Sequence, residues 1–264
     1  MSVATSWPVV RSAARFYLRP AHRALERMVP HGNLPATWGV RLGPLLVNGH
    51  EVVLRSPRVR DGAAWREVRL RERDRIEPWW GTSPMSWEDR HEISEWVASY
   101  LAARRAGRAG EALTLVVECD GEFAGQSNLE RIDHTARSAE MGGWIDSRFG
   151  GRGVSTAAAR LLIDYAFVRL RLHRLTGPIC EGNIAATWGA RRLGMVCEGK
   201  MSGFLDIGGR RRDHYLWALT VDQYVPPELP SATARATAPS RAPHQRATSC
   251  CVPAVPGKAE RWAG

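Results

Sequence analysis

The sequence predicts a mixed α/β domain, a central and mostly antiparallel sheet flanked by helices, and three observations predict it. Short strand-like runs are joined by tight Asp-Gly and Gly-Gly turns. Segments with apolar residues at helical spacing interrupt those runs. A glycine-rich turn, Arg148-Phe-Gly-Gly-Arg-Gly153, follows one strand and opens one helix.

In chain order, Glu51–Arg55 reads as a strand and Asp61 as the N-cap of a helix ending near Arg71. Trp87–Arg105 is a second helix, with Ile93, Trp96, Val97, Tyr100 and Leu101 on one face. Leu113–Glu118 and Glu122–Glu130 form a hairpin across Cys119-Asp120-Gly121. Glu140–Ile145 is the strand that leads into the glycine turn, and Val154–Leu170 is the helix that leaves it. Arg174–Ile179 is a further strand, and Asn183–Leu193 a helix closed by Gly194. Val196–Asp206 and Arg210–Thr220 pair across Ile207-Gly208-Gly209. The order is β-α-α-β-β-β-α-β-α-β-β. The domain is expected over residues 44–222, between a basic, partly disordered extension (1–43) and a disordered tail rich in Pro, Ala and Thr (223–264).

Composition narrows the function. The hydrophobic fraction of 44% suffices for a core. No window reaches the ~18 uninterrupted apolar residues of a membrane span, and no secretory signal is read at the N-terminus. Cysteines 119, 180, 197, 250 and 251 form no Cys-x-x-Cys pair, which fits reduced thiols and a cytoplasmic protein. The net charge of +10 resides mainly in the flanks, where Arg11, Arg15, Arg19, Arg23 and Arg27 recur every fourth residue. Between the flanks the balance is unremarkable, so no nucleic-acid face is singled out. The N-terminal flank reads as a solvated leader or as an anchor to the ribosome or a membrane surface. No metal-ligand cluster is visible, so no metal is expected.

The glycine turn is the chemical signal. Amides in the first turn of a helix lack internal partners, and the helix dipole favours an anion there. Glycine removes the Cβ atoms that would hold a phosphate off those amides. A Walker loop would need Gly-Lys-Ser/Thr, which is absent. A Rossmann fingerprint would come early in a βαβ unit, whereas this turn follows several antiparallel-type strands.

Arg148-x-x-Gly151-x-Gly153 instead resembles the pyrophosphate loop of the GNAT acyltransferases, Gln/Arg-x-x-Gly-x-Gly/Ala. Glu140-Met-Gly-Gly-Trp-Ile-Asp146, Leu172-His-Arg-Leu175, Asn183-Ile-Ala-Ala-Thr, Arg192-Leu-Gly-Met195 and Asp213-His-Tyr-Leu-Trp-Ala-Leu219 extend the resemblance over about residues 45–221. With Glu77-Pro-Trp-Trp80 upstream, the chain most resembles the RimJ/RimL-type, ribosomal-protein-alanine N-acetyltransferases. The resemblance implies a sheet splayed between two strands and acetyl-CoA as acyl donor. It implies a primary amine as acceptor, either a protein N-terminus or a small molecule, with an acyl-CoA-binding module without catalysis as the rival reading. A monomer or homodimer is expected.

By the same resemblance, Trp144, Ile145, Asp146, Arg148, Gly150, Gly151, Arg152, Gly153, Val154, Ser155, Thr156 and Asn183 would contact the CoA. An amide near Ile145 would polarise the thioester carbonyl. Glu77, Trp79 and Trp80 would shape the acceptor pocket. Three positions depart from the pattern: Pro178, Ala186 and Ala190 stand where relatives carry Glu, Ser and Tyr. Glu140 is therefore the expected general base, its carboxyl desolvated by a wall of Trp144. His134, His173 and His214 are further candidates, and Asp213 is expected to support the final hairpin or the acceptor cleft.

Overall fold

In the computed structural model, which describes residues 37–225, eight strands form one sheet in the order β1-β2-β3-β4-β5-β6-β8-β7. They are β1 (Arg41–Val47), β2 (His50–Arg55), β3 (Leu113–Cys119), β4 (Glu122–Asp133), β5 (Ser138–Ile145), β6 (Arg174–Cys180), β7 (Val196–Ile207) and β8 (Arg210–Thr220). All neighbours are antiparallel except β5 and β6. Helices α1 (Gly62–Arg71), α2 (Arg73–Ile76) and α3 (Ile93–Arg108) follow β2, α4 (Val154–Asp164) links β5 to β6, and α5 (Ile184–Arg192) links β6 to β7. A parallel pair cannot be closed by a tight turn, so α4 serves as its crossover.

Both expected hairpin turns form. Asp120 and Gly121 (φ 52° and 83°) and Gly208 and Gly209 (φ 63° and 77°) take the left-handed conformations of a two-residue turn that matches strand twist. A third such turn, Asn48-Gly49 (φ 49° and 81°), joins β1 to β2. The ordered sheet therefore starts at Arg41, inside the segment expected to be extension, which corrects the boundary at 44. Thr37 precedes it and is buried, its hydroxyl donating to the Gly107 and Ala112 carbonyls at 3.1 and 2.5 Å.

Three further expectations are corrected. Asp61 occupies the N-cap position but does not cap α1, because its carboxylate takes a bidentate pair from Arg55 at 2.7 and 2.8 Å and accepts from the Arg58 amide at 2.7 Å, closing the 3-10 turn before the helix. The helix expected from Trp87 starts at Ile93, and of its expected inward face only Trp96 is buried, while Ile93 and Leu101 are exposed. The helix after the glycine turn is α-helical only to Asp164 and widens into a π turn over Tyr165–Arg169.

The sheet has two unlike faces. On one, α4 lays Val154, Ala157, Ala158, Leu162 and Ile163 against Val52, Leu54, Leu115, Val117 and Leu129, an aliphatic core. On the other, α1 and α3 contribute Trp65 and Trp96, which pack on Val116 beside Phe123 and Trp144. The arginines from 11 to 27 and residues 226–264 lie outside the described residues. No described helix is long and apolar enough to cross a membrane.

Candidate active site

β5 and β6 are in register only at Ser138↔Arg174, Ala139↔Leu175 and Glu140↔Thr176. Beyond that point β6 continues on β8 as far as Cys180, and β5 continues on β4 as far as Ile145. A wedge therefore opens in the middle of the sheet. Asp146 gives its amide to the Ala124 carbonyl at 2.9 Å. The alternation of an antiparallel ladder then directs the amides of Gly142 and Trp144 to β4 and those of Gly143 and Ile145 into the wedge, while the Met141 amide completes the last β5–β6 pair at Thr176. Unpaired strand amides of this kind recognise an extended chain.

At the wide end of the wedge lies the glycine turn. Gly151 and Gly153 have φ of 73° and 83°, and Gly153 is the N-cap of α4 with no side-chain cap. The first intrahelical bond there is from Ala157 to the Gly153 carbonyl (2.9 Å), which leaves the Val154, Ser155 and Thr156 amides without helical partners. A Cβ on Gly151 would meet nothing within 4 Å, so the main chain there is open to a ligand. From below, the β1–β2 turn buttresses the loop: Asn48 Nδ2 donates to the Arg152 carbonyl at 3.0 Å, and a Cβ on Gly153 would lie 2.8 Å from Val47 Cγ2. This donor set, open and cationic at its rim, fits a pyrophosphate.

Two residues expected to touch the cofactor have other work. The Asp146 side chain is fully buried and accepts from the Arg148 amide (3.0 Å), Arg148 Nε (2.8 Å) and Arg71 Nη2 (2.6 Å). Burial alone would raise its pKa, but the Arg148 amide and the two guanidinium groups outweigh that and hold it below the usual carboxylate range. Asp146 is thus an internal clamp that sets the approach to the loop, and Arg148 is its partner, half-exposed at the rim. Ser147 adds a second tie, donating to Glu72 Oε1 at 2.7 Å.

Trp144 is also turned away from the expected position. Ala139 and Met141 belong to the α4 face, so Glu140, Gly142 and Trp144 face the other side. The Trp144 indole donates to Gln126 Oε1 at 3.1 Å and packs on Phe123. Glu140 is ion-paired with Arg131 and is not walled by that ring. It is the last β5 residue in register with β6, at the apex of the wedge.

Asn183 caps α5, its Oδ1 accepting from the Ala186 amide at 3.1 Å. Ala190 is buried in the core and Pro178 pairs with Leu216, so neither offers a proton-transfer group. His134 bonds the Gly110 carbonyl, His173 faces Asp222, and buried His214 packs edge-on to Phe204. Asp213 holds the β7–β8 hairpin through the Gly203 amide and Lys200, both at 2.8 Å.

The Glu77–Trp79 turn and Trp80 form the far wall. Glu77 is held by Arg73 (2.7 Å), and a Cβ on Gly182 would sit 3.9 Å from Trp79, so this wall reaches toward the N-terminus of α5. Thr82 ties the wall to the β7–β8 turn through Asp206 and the Gly209 amide (2.9 Å). Behind the wall lies a group that the sequence reading missed. Arg69 is buried, stacked under Trp80 (3.9 Å to the ring centre) and beside Trp87 and Trp144 (5.0 and 5.1 Å). Its Nε donates to His91 Nε2 at 2.9 Å, and His91 Nδ1 in turn donates to the Trp87 carbonyl at 2.5 Å. Burial, with Arg69 and Arg90 close by, lowers the His91 pKa to about 4 despite the Trp87 hydrogen bond. A second unexpected cluster, His50, Cys119 and Asp120, gathers within 4.8 Å where the two hairpins meet. There the Asp120 carboxylate already accepts from the Glu51 amide and bonds the His50 ring.

Comparison with known proteins agrees with this geometry. Over 100 residues the chain is 37% identical to the Putative ribosomal N-acetyltransferase YdaF of Bacillus subtilis (strain 168), covering 38% of this chain and 55% of that protein. It is 36% identical over 110 residues to the spermidine N(1)-acetyltransferase of Escherichia coli (strain K12), covering 42% and 59%. The chain thus spans between half and three-fifths of the length of these curated relatives. The crystal structure of Mycobacterium smegmatis RimJ in complex with CoA-disulfide superposes with a TM-score of 0.68 at 35% identity, over 74% of this chain and 91% of that one. Residues 51–196, more than half of the chain, match the family model described as an acetyltransferase (GNAT) domain. The wedge, the uncapped glycine-led helix and this match together place the chain in the GNAT acetyltransferase family.

Proposed function

We propose that the protein transfers an acetyl group from acetyl-CoA to the α-amine of a protein N-terminus, a ribosomal protein being the acceptor that the likeness to the putative ribosomal N-acetyltransferase supports. The observation that carries this reading is the parting of β5 from β6 beside the uncapped start of α4. Acetyl-CoA supplies an activated acetyl group as its thioester. The amides from Gly151 to Thr156 hold the pyrophosphate, with Arg152 at the rim. The Gly143 and Ile145 amides would hydrogen-bond the extended arm and donate to the thioester oxygen, where negative charge develops as the amine attacks. An amine protonated at neutral pH must first lose a proton, and Glu140, on the opposite face at the apex, is the carboxylate we assign to take it; the C–S bond then breaks and the CoA thiolate takes its proton from solvent. Asn183 keeps its amide nitrogen for the arm while its oxygen caps α5. Unbridged Cys119 and Cys180 fit a cytoplasmic site of action.

A second reading, a polyamine acceptor, is favoured by the spermidine acetyltransferase relative. Release of free thiol from acetyl-CoA, followed with Ala- and Ser-initiated peptides and with spermidine, separates the two. Turnover is expected with the peptides. Acetyl-CoA binding without turnover of any amine would overturn the enzymatic reading. Glu140→Gln is expected to lower kcat about tenfold with KM for acetyl-CoA unchanged. An unchanged kcat would remove Glu140 as the base.

A further inference from the structure

We propose that Arg69 is an anion-recognition group of the acceptor site, so that the preferred acceptor carries a carboxylate near its amine and a polycation is disfavoured. This inference rests on the acetyl-transfer reading. Arg69 is only 2% exposed, yet it has no carboxylate partner among the described residues, and its Nη1 is buried without a hydrogen bond. Native proteins pair or coordinate buried cations, because an uncompensated charge out of water is strongly unfavourable. His91 is neutral toward it, accepting at Nε2, and Arg90 adds a like charge. Glu77, whose charge reaches Arg90 and His91, is engaged by Arg73. Burial and Arg90 lower the guanidinium pKa to about 9, so it remains a cation at neutral pH and the imbalance is real.

The surroundings look built to hold that cation in place. Three tryptophan rings line it, and stacking on aromatic faces fixes the plane of a guanidinium without neutralising it. One ring, Trp144, comes from β5 immediately before Ile145, which puts the cage on the acceptor side of the wedge. Another, Trp80, is the cover. It is 39% exposed and is the C-terminal cap of the Glu77–Trp79 turn that forms the cleft wall. Trp80 covers one face of the guanidinium while the fork donors lie in its plane, so a planar carboxylate would take the Nη1 edge beside that ring.

The test compares three peptides of one length, each starting with Ala and carrying Asp, Asn or Lys at the second and third positions, together with spermidine. The full-length wild type is expected to show at least tenfold higher kcat/KM on the Asp peptide than on the Lys peptide or spermidine. Arg69→Met keeps the length and removes the charge. It should erase that preference through KM on the Asp peptide, and a thermal midpoint well above the assay temperature shows that the variant is folded. Arg69→Lys, with charge but no fork, should retain part of the preference. Equal rates on all acceptors in wild type, or an intact preference in Arg69→Met, would overturn the proposal. The N-acetylated Asp peptide is also titrated calorimetrically in the presence of CoA. If no amine is acetylated, tighter binding of this peptide to wild type than to Arg69→Met still supports the anion site and condemns only the catalytic reading. Equal binding condemns the anion site.

Discussion

The two sides of the cleft are made of different materials. On the wedge side the ligand-facing groups are main-chain amides, from Gly143 and Ile145 to the first turn of α4, and glycines in the loop keep them uncovered. On the opposite side, from Arg69 to His91, the groups are rings and a guanidinium, stacked and hydrogen-bonded to one another. A main-chain site depends on φ angles and tolerates change in neighbouring side chains. A side-chain site depends on rotamers, burial and protonation, and each substitution there changes its chemistry. The donor side should therefore respond to backbone geometry and the acceptor side to charge and pH.

The largest effect is expected where the two sides are joined. Asp146 clamps the loop approach to Arg71 of α1, and Asp146→Ala removes a buried carboxylate with three donors. A loss of about 3 kcal/mol in denaturant stability is expected, together with weaker CoA binding. Unchanged CoA affinity would show that the clamp serves stability alone.

Next comes the donor side by itself. Gly151 sits at φ 73° with open space around it, so Gly151→Glu should cost only about 1 kcal/mol of stability. Its carboxylate would occupy the anion position, and CoA affinity should fall about 100-fold, or roughly 2.7 kcal/mol. Calorimetry with CoA measures this, and undiminished binding would remove the loop from the site.

The smallest effect tests the acceptor side through pH. His91 is neutral when folded, with its pKa lowered to about 4 from the ordinary imidazole value of 6.5. As pH falls below 6.5 the unfolded chain binds a proton that the folded chain refuses, so stability is lost down to about pH 4. By pH 5 that loss is about 2 kcal/mol. The stability difference between pH 7.5 and 5 should shrink by this amount in His91→Gln, and parallel curves for the two proteins would refute the assignment.

The same division explains what could be read from the residues beforehand. Gly151, Gly153 and Arg148 announce a main-chain anion site because glycine spacing reports backbone conformation directly. The Asn48-Gly49 pair was an equally strong hairpin signal, masked by the basic composition of the preceding segment. The acceptor wall left no such trace. Arg69 and His91 are 22 positions apart, on α1 and a 3-10 turn, and hydropathy places arginine outside rather than under three rings. Periodicity likewise misled for α3, which rests on the sheet mainly through Trp96, so that Ile93 and Leu101 remain in solvent.

The β1–β2 hairpin bears on how far this domain can be shortened. A chain trimmed to residues 51–196 would keep the glycine turn, the wedge-forming strands and α5, which is all that the family pattern requires. It would lose Val47 and Asn48, on which Gly153 and Arg152 rest, and β8, the strand that keeps β6 apart from β5. The smallest transferable unit is therefore larger than the smallest recognisable one. An engineer grafting this acetyl-donor cradle onto another scaffold would have to begin at Arg41 and carry the last hairpin along.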